Sequence, residues 1–435
     1  MSRPVGRQSW GRRHRRLSAC AVVLAATVLL GFAAGPAVAA GASLSRQISA
    51  ALVRHGVNGS GTAVCVWDLE TGRVVYARNV HRALVPASNQ KLATAAVALQ
   101  LWGADHRFRT EALTGGVGPD ENGVLRGDLF LKGYGDPTFS TAGYQRRVFH
   151  VRTSSVARLA RAIRKAGIRR ITGRIVADET YFDRRRGAPS WHAGLAANCG
   201  SLSALAVDQG YAGGGRVSQP ALRSAVALRT ALKAAGVPVA GGVRLGRTPR
   251  TATVVATELS APLWRVLRLM GKPSDNTIAE MLLKGLGREF GARGSTAAGA
   301  AVVRRHLVQA GVPAREVRVS DGSGLSYSNR LSALAVTRLL VSMSGRLDFD
   351  MYWSSLAVAG RDGTLRLRMR GSAAAGNVHA KTGTLSVSSC LSGYVTTSGR
   401  EGVVFSILMN GRPLASYRAR LAQDAVAVIL ARADL

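Results

Sequence analysis

Hydrophobic and polar positions along the chain predict a mixture of strands and helices. Residues 61–79, GTAVCVWDLETGRVVYARN, form two apolar runs around LETG, which predicts a β-hairpin. Residues 85–103, VPASNQKLATAAVALQLWG, follow directly and predict a small-residue helix that ends near Gly103. Further helices are predicted in SSVARLARAIRKAG, QPALRSAVALRTALKAAGVPV, APLWRVLRLMG and NTIAEMLLKGLG.

The strand patterns fall in two regions. From about residue 105, short apolar runs are broken by Gly and Asp turns, in RTEALTGG, GVLRGDLFLKGYGDPTF and RRITGRIVADETYFD. Near the end of the chain, VHAKTGTL, SSCLSGYVTT and GVVFSILMNG predict three successive strands, and a last helix follows from about residue 413. The length of 435 residues leaves room for two or three domains.

The first 40 residues have the pattern of a signal peptide. Two arginine pairs, at 12–13 and 15–16, precede the apolar run ACAVVLAATVLLGFAAG, and AVAA at 37–40 offers a small-residue cleavage site. We therefore expect an exported chain that begins near Ala40 or Gly41 and is secreted or associated with the cell wall. The arginine pairs leave the general secretory and twin-arginine routes both open. No later apolar run reaches the roughly 20 residues of a membrane span.

The charge is strongly basic, with a formal net charge of +35. Such a balance favours anionic surroundings such as wall polymers, membrane headgroups or nucleic acid. Because the arginines are scattered and not interleaved with aromatic residues, we expect no dedicated nucleic-acid site. A general compositional bias toward arginine is an equally good interpretation of the charge.

The cysteines predict neither a disulfide framework nor a metal centre. Cleavage of the leader would leave Cys65, Cys199 and Cys390, which permit at most one bridge and have no metal-ligand spacing. Cys65 and Cys390 lie in apolar runs, where free thiols behave as small buried hydrophobic groups. We expect the protein to need no metal or cofactor.

The sequence SNQK places Ser88 and Lys91 three residues apart in a helix, so that they share one face. Only seven of the 59 basic residues are lysine. A lysine can lose its proton when it is desolvated, whereas an arginine stays charged, so Lys91 suits a base that activates Ser88. The alternative is that Ser88 caps the helix and Lys91 points into solvent.

Two further motifs follow in order along the chain. KPSDNT places Ser274, Asp275 and Asn276 between two helices, and HAKTGT places Lys381, Thr382, Gly383 and Thr384 on a strand. The ordered set Ser-x-x-Lys, Ser-x-Asn, Lys-Thr-Gly is typical of β-lactamases and penicillin-binding proteins. The long separation of Ser88 from Ser274, together with GYGDP, DGSGLS and SLAVAGRDGTLRLRM, resembles the class C low-molecular-mass penicillin-binding proteins, a serine-type D-Ala-D-Ala carboxypeptidase/endopeptidase family.

The resemblance implies an α/β (α+β) penicilloyl-serine transferase fold, with an antiparallel sheet flanked by helices. It implies a catalytic domain formed by residues 41–104 and 252–435, with one or two smaller domains inserted at 105–251. The implied activity is hydrolysis of the D-Ala-D-Ala bond of peptidoglycan stem peptides, with cleavage of peptide cross-links left open and β-lactams as inhibitors. The alternatives are a β-lactamase or esterase on the same scaffold, or a basic wall-binding protein whose site is vestigial.

The resemblance also implies the role of each motif residue. Ser88 would be the nucleophile and Lys91 its base, and the amides of Ser88 and Thr384 would form the oxyanion hole. Lys381 and Thr382 suit the substrate carboxylate, and Gly383 lies on the strand that runs beside the substrate. Ser274 would pass a proton to the leaving D-alanine, and Asn276 would hold the substrate amide or Lys91.

Glu280 is a second carboxylate candidate near these motifs, in the helix that follows Asn276. It could be compared with the deacylating carboxylate of class A β-lactamases. Its surroundings, IAEMLL, instead predict a packed structural acid. Neither this carboxylate nor the lone His379 is expected to act as a base.

Overall fold

A computed structural model describes the backbone of residues 36–435 and the side chains from residue 43 onward. Residues 1–35 of the predicted signal peptide lie outside the described residues. Its last residues, 36–40, belong to the first helix. Contacts divide the chain into two units. Among the described residues, the first unit contains 36–89, 310–317 and 330–435, and the second contains 90–309 and 318–329.

The helices have the following bounds: α1 Pro36–Arg54, α2 Gln90–Trp102, α3 Ala142–Tyr144, α4 Val156–Lys165, α5 Pro220–Ala234, α6 Leu263–Gly271, α7 Asn276–Phe290, α8 Thr296–Gln309, α9 Ala333–Ser344, α10 Phe349–Ser354 and α11 Ser416–Arg432. The strands are β1 Thr62–Asp68, β2 Arg73–Arg78, β3 Arg109–Thr114, β4 Val124–Leu125, β5 Leu129–Gly133, β6 Arg170–Ile171, β7 Ile175–Asp178, β8 Tyr211–Ala212, β9 Gly215–Arg216, β10 Val243–Leu245, β11 Thr253–Leu259, β12 Val317–Arg318, β13 Arg330–Leu331, β14 Ala357–Val358, β15 His379–Leu385, β16 Ser388–Thr396 and β17 Gly402–Asn410.

The first unit is built on a six-stranded sheet in the order β14-β15-β16-β17-β1-β2. Every neighbouring pair in it is antiparallel. Successive side chains of a strand point to opposite faces. On β1, Val64 and Val66 accordingly join a core with α1 and α11, whereas Cys65 packs on the other face with Ala333 and Leu334 at the start of α9. Helices therefore cover both faces of this sheet, as predicted.

The second unit contains a five-stranded mixed sheet in the order β10-β7-β5-β3-β11. The pairs β10/β7 and β7/β5 are parallel, and β5/β3 and β3/β11 are antiparallel. Its core joins residues of β5 and β7, such as Leu131 and Ile175, to Ile163 of α4 and Leu228 of α5. The boundaries of the inserted domain, predicted at residues 105 and 251, stay a prediction.

Most of the helices and strands predicted from the pattern of residues are present. The hairpin at 61–79 becomes β1 and β2, and the three predicted C-terminal strands become β15, β16 and β17. The sequence pattern did not identify α8, Thr296–Gln309, whose first half is rich in Ala and Gly.

Cys65, Cys199 and Cys390 are buried and free. Across the described residues, no helix is both long and apolar enough to cross a membrane. In the same part of the chain, no cluster of His, Cys, Asp and Glu side chains has the arrangement of a metal site.

Candidate active site

Ser88 lies in a tight turn of the first unit. The turn is a 3-10 segment, Ala87–Asn89, and α2 begins directly after it. Ala87 is buried and has a φ of 44°, a left-handed conformation that costs a non-glycine residue roughly 1–2 kcal/mol. The buried Asn89 amide donates to Ser392 Oγ on β16 at 2.7 Å, which attaches the turn to the sheet.

The Lys-Thr-Gly motif runs along β15 beside this turn. A Cβ atom on Gly383 would lie 2.9 Å from the Ser88 nitrogen and 3.0 Å from the Pro86 carbonyl oxygen. No side chain fits in that space, so a glycine at position 383 allows the strand to approach the backbone that carries Ser88. The first unit therefore brings Gly383 next to the backbone of Ser88.

The other residues of this motif differ in burial and in their hydrogen-bond partners. Lys381 is buried, and its Nζ donates to the Thr382 carbonyl oxygen at 2.9 Å. Thr382 Oγ1 donates to Thr364 Oγ1 at 2.7 Å, and Thr384 is exposed. Lys381 pairs in register with Ser392 of β16, the residue that accepts from Asn89. The Ser88 turn and the Lys-Thr-Gly strand are thus both attached to β16.

Lys91, the second residue of α2, is only 1% exposed in the second unit. Its Nζ donates to Asn276 Oδ1 and to the Ser323 carbonyl oxygen, each at 2.7 Å. Burial lowers the pKa of Lys91 to about 8, although the negative charges of Asp321, Glu280 and Asp275 oppose the shift. The alternative in which Lys91 points into solvent is therefore wrong, and its amine can be uncharged near neutral pH.

The Ser-x-Asn motif forms the entry to α7. Ser274 has a φ of 66°, so it is, like Ala87, a non-glycine residue in the left-handed conformation. Asp275 caps the helix by accepting from the Ile278 amide at 2.8 Å. Asn276 accepts from Lys91 through Oδ1 and donates through Nδ2 to the Asn198 carbonyl oxygen at 2.7 Å. The structure thus brings Lys91 and Asn276 together and gives Asp275 a structural role.

The DGSGLS segment forms a compact polar turn in the second unit. Asp321 is buried and accepts from the amides of Gly324 and Ser326, at 2.8 and 2.6 Å, and from the side chains of Trp191 and Asn329, at 2.8 and 2.7 Å. From its sequence, this segment could line the cleft or form a Gly-rich tight turn before the helix that follows. The carbonyl oxygen of Ser323 in this segment accepts a hydrogen bond from Lys91. Because every residue carries a backbone carbonyl, the sequence gives no sign of this contact.

Each unit, described by itself, contains one group with a chemical capacity. The first holds Ser88 in the turn that directly precedes a helix along the chain, a position where the helix dipole favours developing negative charge. The second holds a buried lysine with a lowered pKa, fixed by two acceptors. A serine nucleophile with an amine that can accept its proton suits acyl transfer.

The sequence matches one protein family over most of its length. The D-Ala-D-Ala carboxypeptidase 3 (S13) family matches residues 44–213 and 200–433. The D-alanyl-D-alanine carboxypeptidase of Actinomadura sp. (strain R39) is 33% identical to this chain. That alignment covers 98% of this chain and 92% of the Actinomadura protein.

The fold is similar to that of penicillin binding protein 4 (dacB) from Haemophilus influenzae. Its crystal structure gives a TM-score of 0.71 at 21% identity and covers 88% of this chain and 98% of that one. A crystal structure of the same protein complexed with a novel β-lactam gives a TM-score of 0.67 at 23% identity, over 89% and 97% of the two chains. The predicted fold is confirmed, and the chain belongs to the D-Ala-D-Ala carboxypeptidase 3 (S13) family.

Proposed function

We propose that this chain is a serine D-Ala-D-Ala carboxypeptidase that acts on peptidoglycan stem peptides through an acyl-enzyme on Ser88. The observation that carries the proposal is the state of Lys91, which follows Ser88 by three residues, is buried, and has a pKa lowered to about 8. The family membership and the relative from Actinomadura support the substrate class.

In the acylation step, Ser88 Oγ attacks the carbonyl carbon of the penultimate D-alanine, and Lys91 Nζ accepts the hydroxyl proton. The amides of Ser88 and Thr384 hold the oxyanion that develops. Collapse of this intermediate breaks the C–N bond, and the proton moves from Lys91 through Ser274 to the nitrogen of the departing D-alanine. Water then attacks the ester carbonyl while Lys91 accepts its proton, and Lys91 returns that proton to Ser88 Oγ as the ester C–O bond breaks.

The Lys-Thr-Gly strand holds the substrate in this proposal. The ammonium of Lys381 and the hydroxyl of Thr382 suit the terminal carboxylate, and Gly383 allows the strand to lie next to the Ser88 turn. Asn276 fixes the amine of Lys91 between acylation and hydrolysis. The reaction takes place outside the cytoplasm, where stem peptides are exposed, and the basic surface favours the anionic polymers of the wall.

The experiment is mass spectrometry of the protein after incubation with benzylpenicillin, with the adduct located by peptide mapping. A β-lactam mimics the acyl-D-Ala-D-Ala group, so we expect one adduct on Ser88 that is lost slowly, and none in the matched variant Ser88→Ala. Release of D-alanine from a pentapeptide should disappear in the same variant. An adduct on Ser274 or Ser323 with Ser88 unmodified would overturn the assignment.

The two alternatives predict different results in the same experiment. A β-lactamase would turn penicillin over rapidly, so that product accumulates without a lasting adduct. A vestigial wall-binding protein would form no adduct and release no D-alanine.

A further inference from the structure

Glu280 is a buried carboxylic acid on α7, one helical turn after Asn276. Its Oε1 accepts from the amides of Gly322 and Ser323, at 3.0 and 2.7 Å. Its second oxygen, Oε2, is buried without a hydrogen-bond partner in the described part of the chain. Residues four apart in a helix share a face, so Glu280 and Asn276 both point toward the region that holds Lys91.

The carbonyl groups of the same two residues bind α2. The Ser323 oxygen accepts from Lys91 Nζ at 2.7 Å, and the Gly322 oxygen accepts from Thr94 Oγ1 at 2.8 Å. Lys91 and Thr94 are three residues apart on one face of α2. The Gly322–Ser323 backbone is therefore held between α7, through its amides, and α2, through its carbonyl groups.

Close packing leaves this backbone little freedom to move. A Cβ atom on Gly322 would lie 2.6 Å from the Ala279 carbonyl oxygen and 2.9 Å from Leu283 Cβ, both on α7. The position of the Ser323 carbonyl oxygen thus depends on how α7 holds the segment. Glu280, on α7, accepts hydrogen bonds from the amides of both Gly322 and Ser323.

We propose that Glu280 is a positioning residue for the proton-transferring amine: it holds the Gly322–Ser323 amides so that the Ser323 carbonyl oxygen fixes Lys91 Nζ. This inference rests on the proposed function, in which Lys91 is the base. Glu280 touches neither the substrate nor Ser88 in this scheme and acts through one peptide segment.

The acceptor role needs no negative charge. Charged or titratable groups that act on Glu280 or Lys91 come from several segments of the second unit: Lys91, Cys199, Asp275, Lys284 and Asp321. Burial, followed by the charge of Asp321, raises the pKa of Glu280 well above its ordinary value. A neutral carboxyl group still accepts through its carbonyl oxygen, so a glutamine should replace it.

Two variants separate the position of the acceptor from the charge. Glu280→Gln keeps the length and the acceptor and removes the ionisable group, whereas Glu280→Asp keeps the carboxyl group and withdraws it by one methylene. The matched control is Glu258→Gln, another buried carboxylate that accepts a backbone amide, from Ser155 at 2.8 Å. Each is measured by hydrogen exchange of the 321–325 backbone and by the rate of acylation with benzylpenicillin.

We expect Glu280→Gln to keep amide protection at 322–323 and to acylate within about threefold of the parent rate. Glu280→Asp should lose that protection and acylate about 10- to 100-fold more slowly, since a small displacement of a reacting group has an effect of that size. The loss should fall on the first-order acylation step and leave the affinity for the intact antibiotic unchanged. Glu258→Gln should change neither measurement.

Two results would overturn the inference. One is a Glu280→Asp variant that keeps both protection and parent acylation, and the other is a Glu280→Gln variant as slow as Glu280→Asp, which would show that the charge is required. A parent protein that forms no penicillin adduct would contradict the proposed function instead, and hydrogen exchange would still report whether Glu280 holds the segment.

Discussion

The backbone nitrogen of Ser88 would lie 2.9 Å from a methyl group placed on Gly383. This relationship joins the first and last motifs of the sequence within one unit. A contact that short forces either β15 or the Ser88 turn to move, because Cβ atoms do not approach a nitrogen so closely. The Ala87 Cβ lies 3.1 Å from the same position, so a second atom of the turn would be crowded as well.

Gly383→Ala should therefore reduce acylation by benzylpenicillin by about 10²-fold, the effect expected when a reacting group is displaced by about 1 Å. The control is Gly59→Ala in the same unit, where a Cβ would meet nothing within 4 Å. The rate of adduct formation on Ser88 is the measurement. If Gly383→Ala acylates like the control, the close approach of β15 has no bearing on the chemistry.

The contact between Lys91 and Asn276 gives a second prediction. Asn276→Asp places a carboxylate 2.7 Å from the amine, and an opposite charge at that distance favours the protonated lysine. The pKa of Lys91 should rise from about 8, so the pH profile of acylation should move to higher pH by about 1 unit or more.

The control for added charge is Asn122→Asp, at an exposed turn. Its pH profile should match that of the parent. If the pH profile of acylation does not shift in Asn276→Asp, the ionisation of Lys91 does not control the rate.

Much of this site could be predicted from the sequence because its residues lie in short ordered motifs. Ser88, Lys91 and Lys381 became candidates through residue type, spacing and the order of the three motifs, and the family resemblance implied their roles. The left-handed backbone of Ala87 and Ser274 could not be predicted, since neither residue favours it and only the folded surroundings impose it. The same holds for contacts made by backbone atoms distant in sequence.

Glu280 shows this limit most clearly. The apolar residues around it correctly predicted a buried acid, and the structure places it in the interior. Its partners, the amides of Gly322 and Ser323, lie in a loop more than 40 residues away, at sequence separations of 42 and 43. One sequence shows such a pairing only when the helix and the loop have been placed in the fold.

The buried Asp136 of the GYGDP segment predicts a dependence of stability on pH. It accepts from the amide and the hydroxyl of Thr138, each at 2.8 Å, and burial raises its pKa from 3.8 to about 6. A carboxyl group with a raised folded-state pKa contributes fully below about pH 4, and the contribution is lost as the pH rises through 6. Asp136→Asn should remove this loss, which corresponds to roughly 3 kcal/mol at pH 7.

Thermal unfolding followed at pH 4 and pH 7 measures the effect. Relative to the parent, Asp136→Asn should shift the melting temperature upward at pH 7 compared with pH 4. Asp178→Asn is the matched control of opposite sign: burial raises its pKa, but hydrogen bonds from Thr180 and Thr248 hold the pKa below its ordinary value. Asp178→Asn should lower the melting temperature at pH 7. If both variants changed the melting temperature at pH 7 in the same way, the assigned pKa directions of Asp136 and Asp178 would be wrong.

The basic composition gives a prediction about the cell wall. If anionic wall polymers attract the protein, its retention on isolated cell walls should fall steeply as salt rises toward 1 M, where the screening length is about 3 Å. Retention is measured by sedimentation with the walls at increasing salt. Retention that does not change with salt would leave the net charge of +35 as a compositional bias.

The two buried lysines of the motifs allow the sharpest test of the proposed roles, through Lys91→Arg and Lys381→Arg. Both are only 1% exposed, so each variant places a larger group in a packed site, and unchanged folding must be shown by circular dichroism. If Lys91 transfers the proton, an arginine cannot replace it, and acylation should fall by about 10²- to 10⁴-fold.

Lys381 is assigned an electrostatic role, which a guanidinium can fill in part. Lys381→Arg should therefore lose less in acylation by benzylpenicillin, and its defect should fall mainly on binding of the substrate carboxylate, as a weaker affinity for the intact antibiotic. Acylation is followed by single-turnover kinetics with both variants and the parent. Should Lys91→Arg acylate nearly as fast as the parent while Lys381→Arg is inactive, the roles of the two lysines are exchanged, and the lowered pKa of Lys91 serves another purpose.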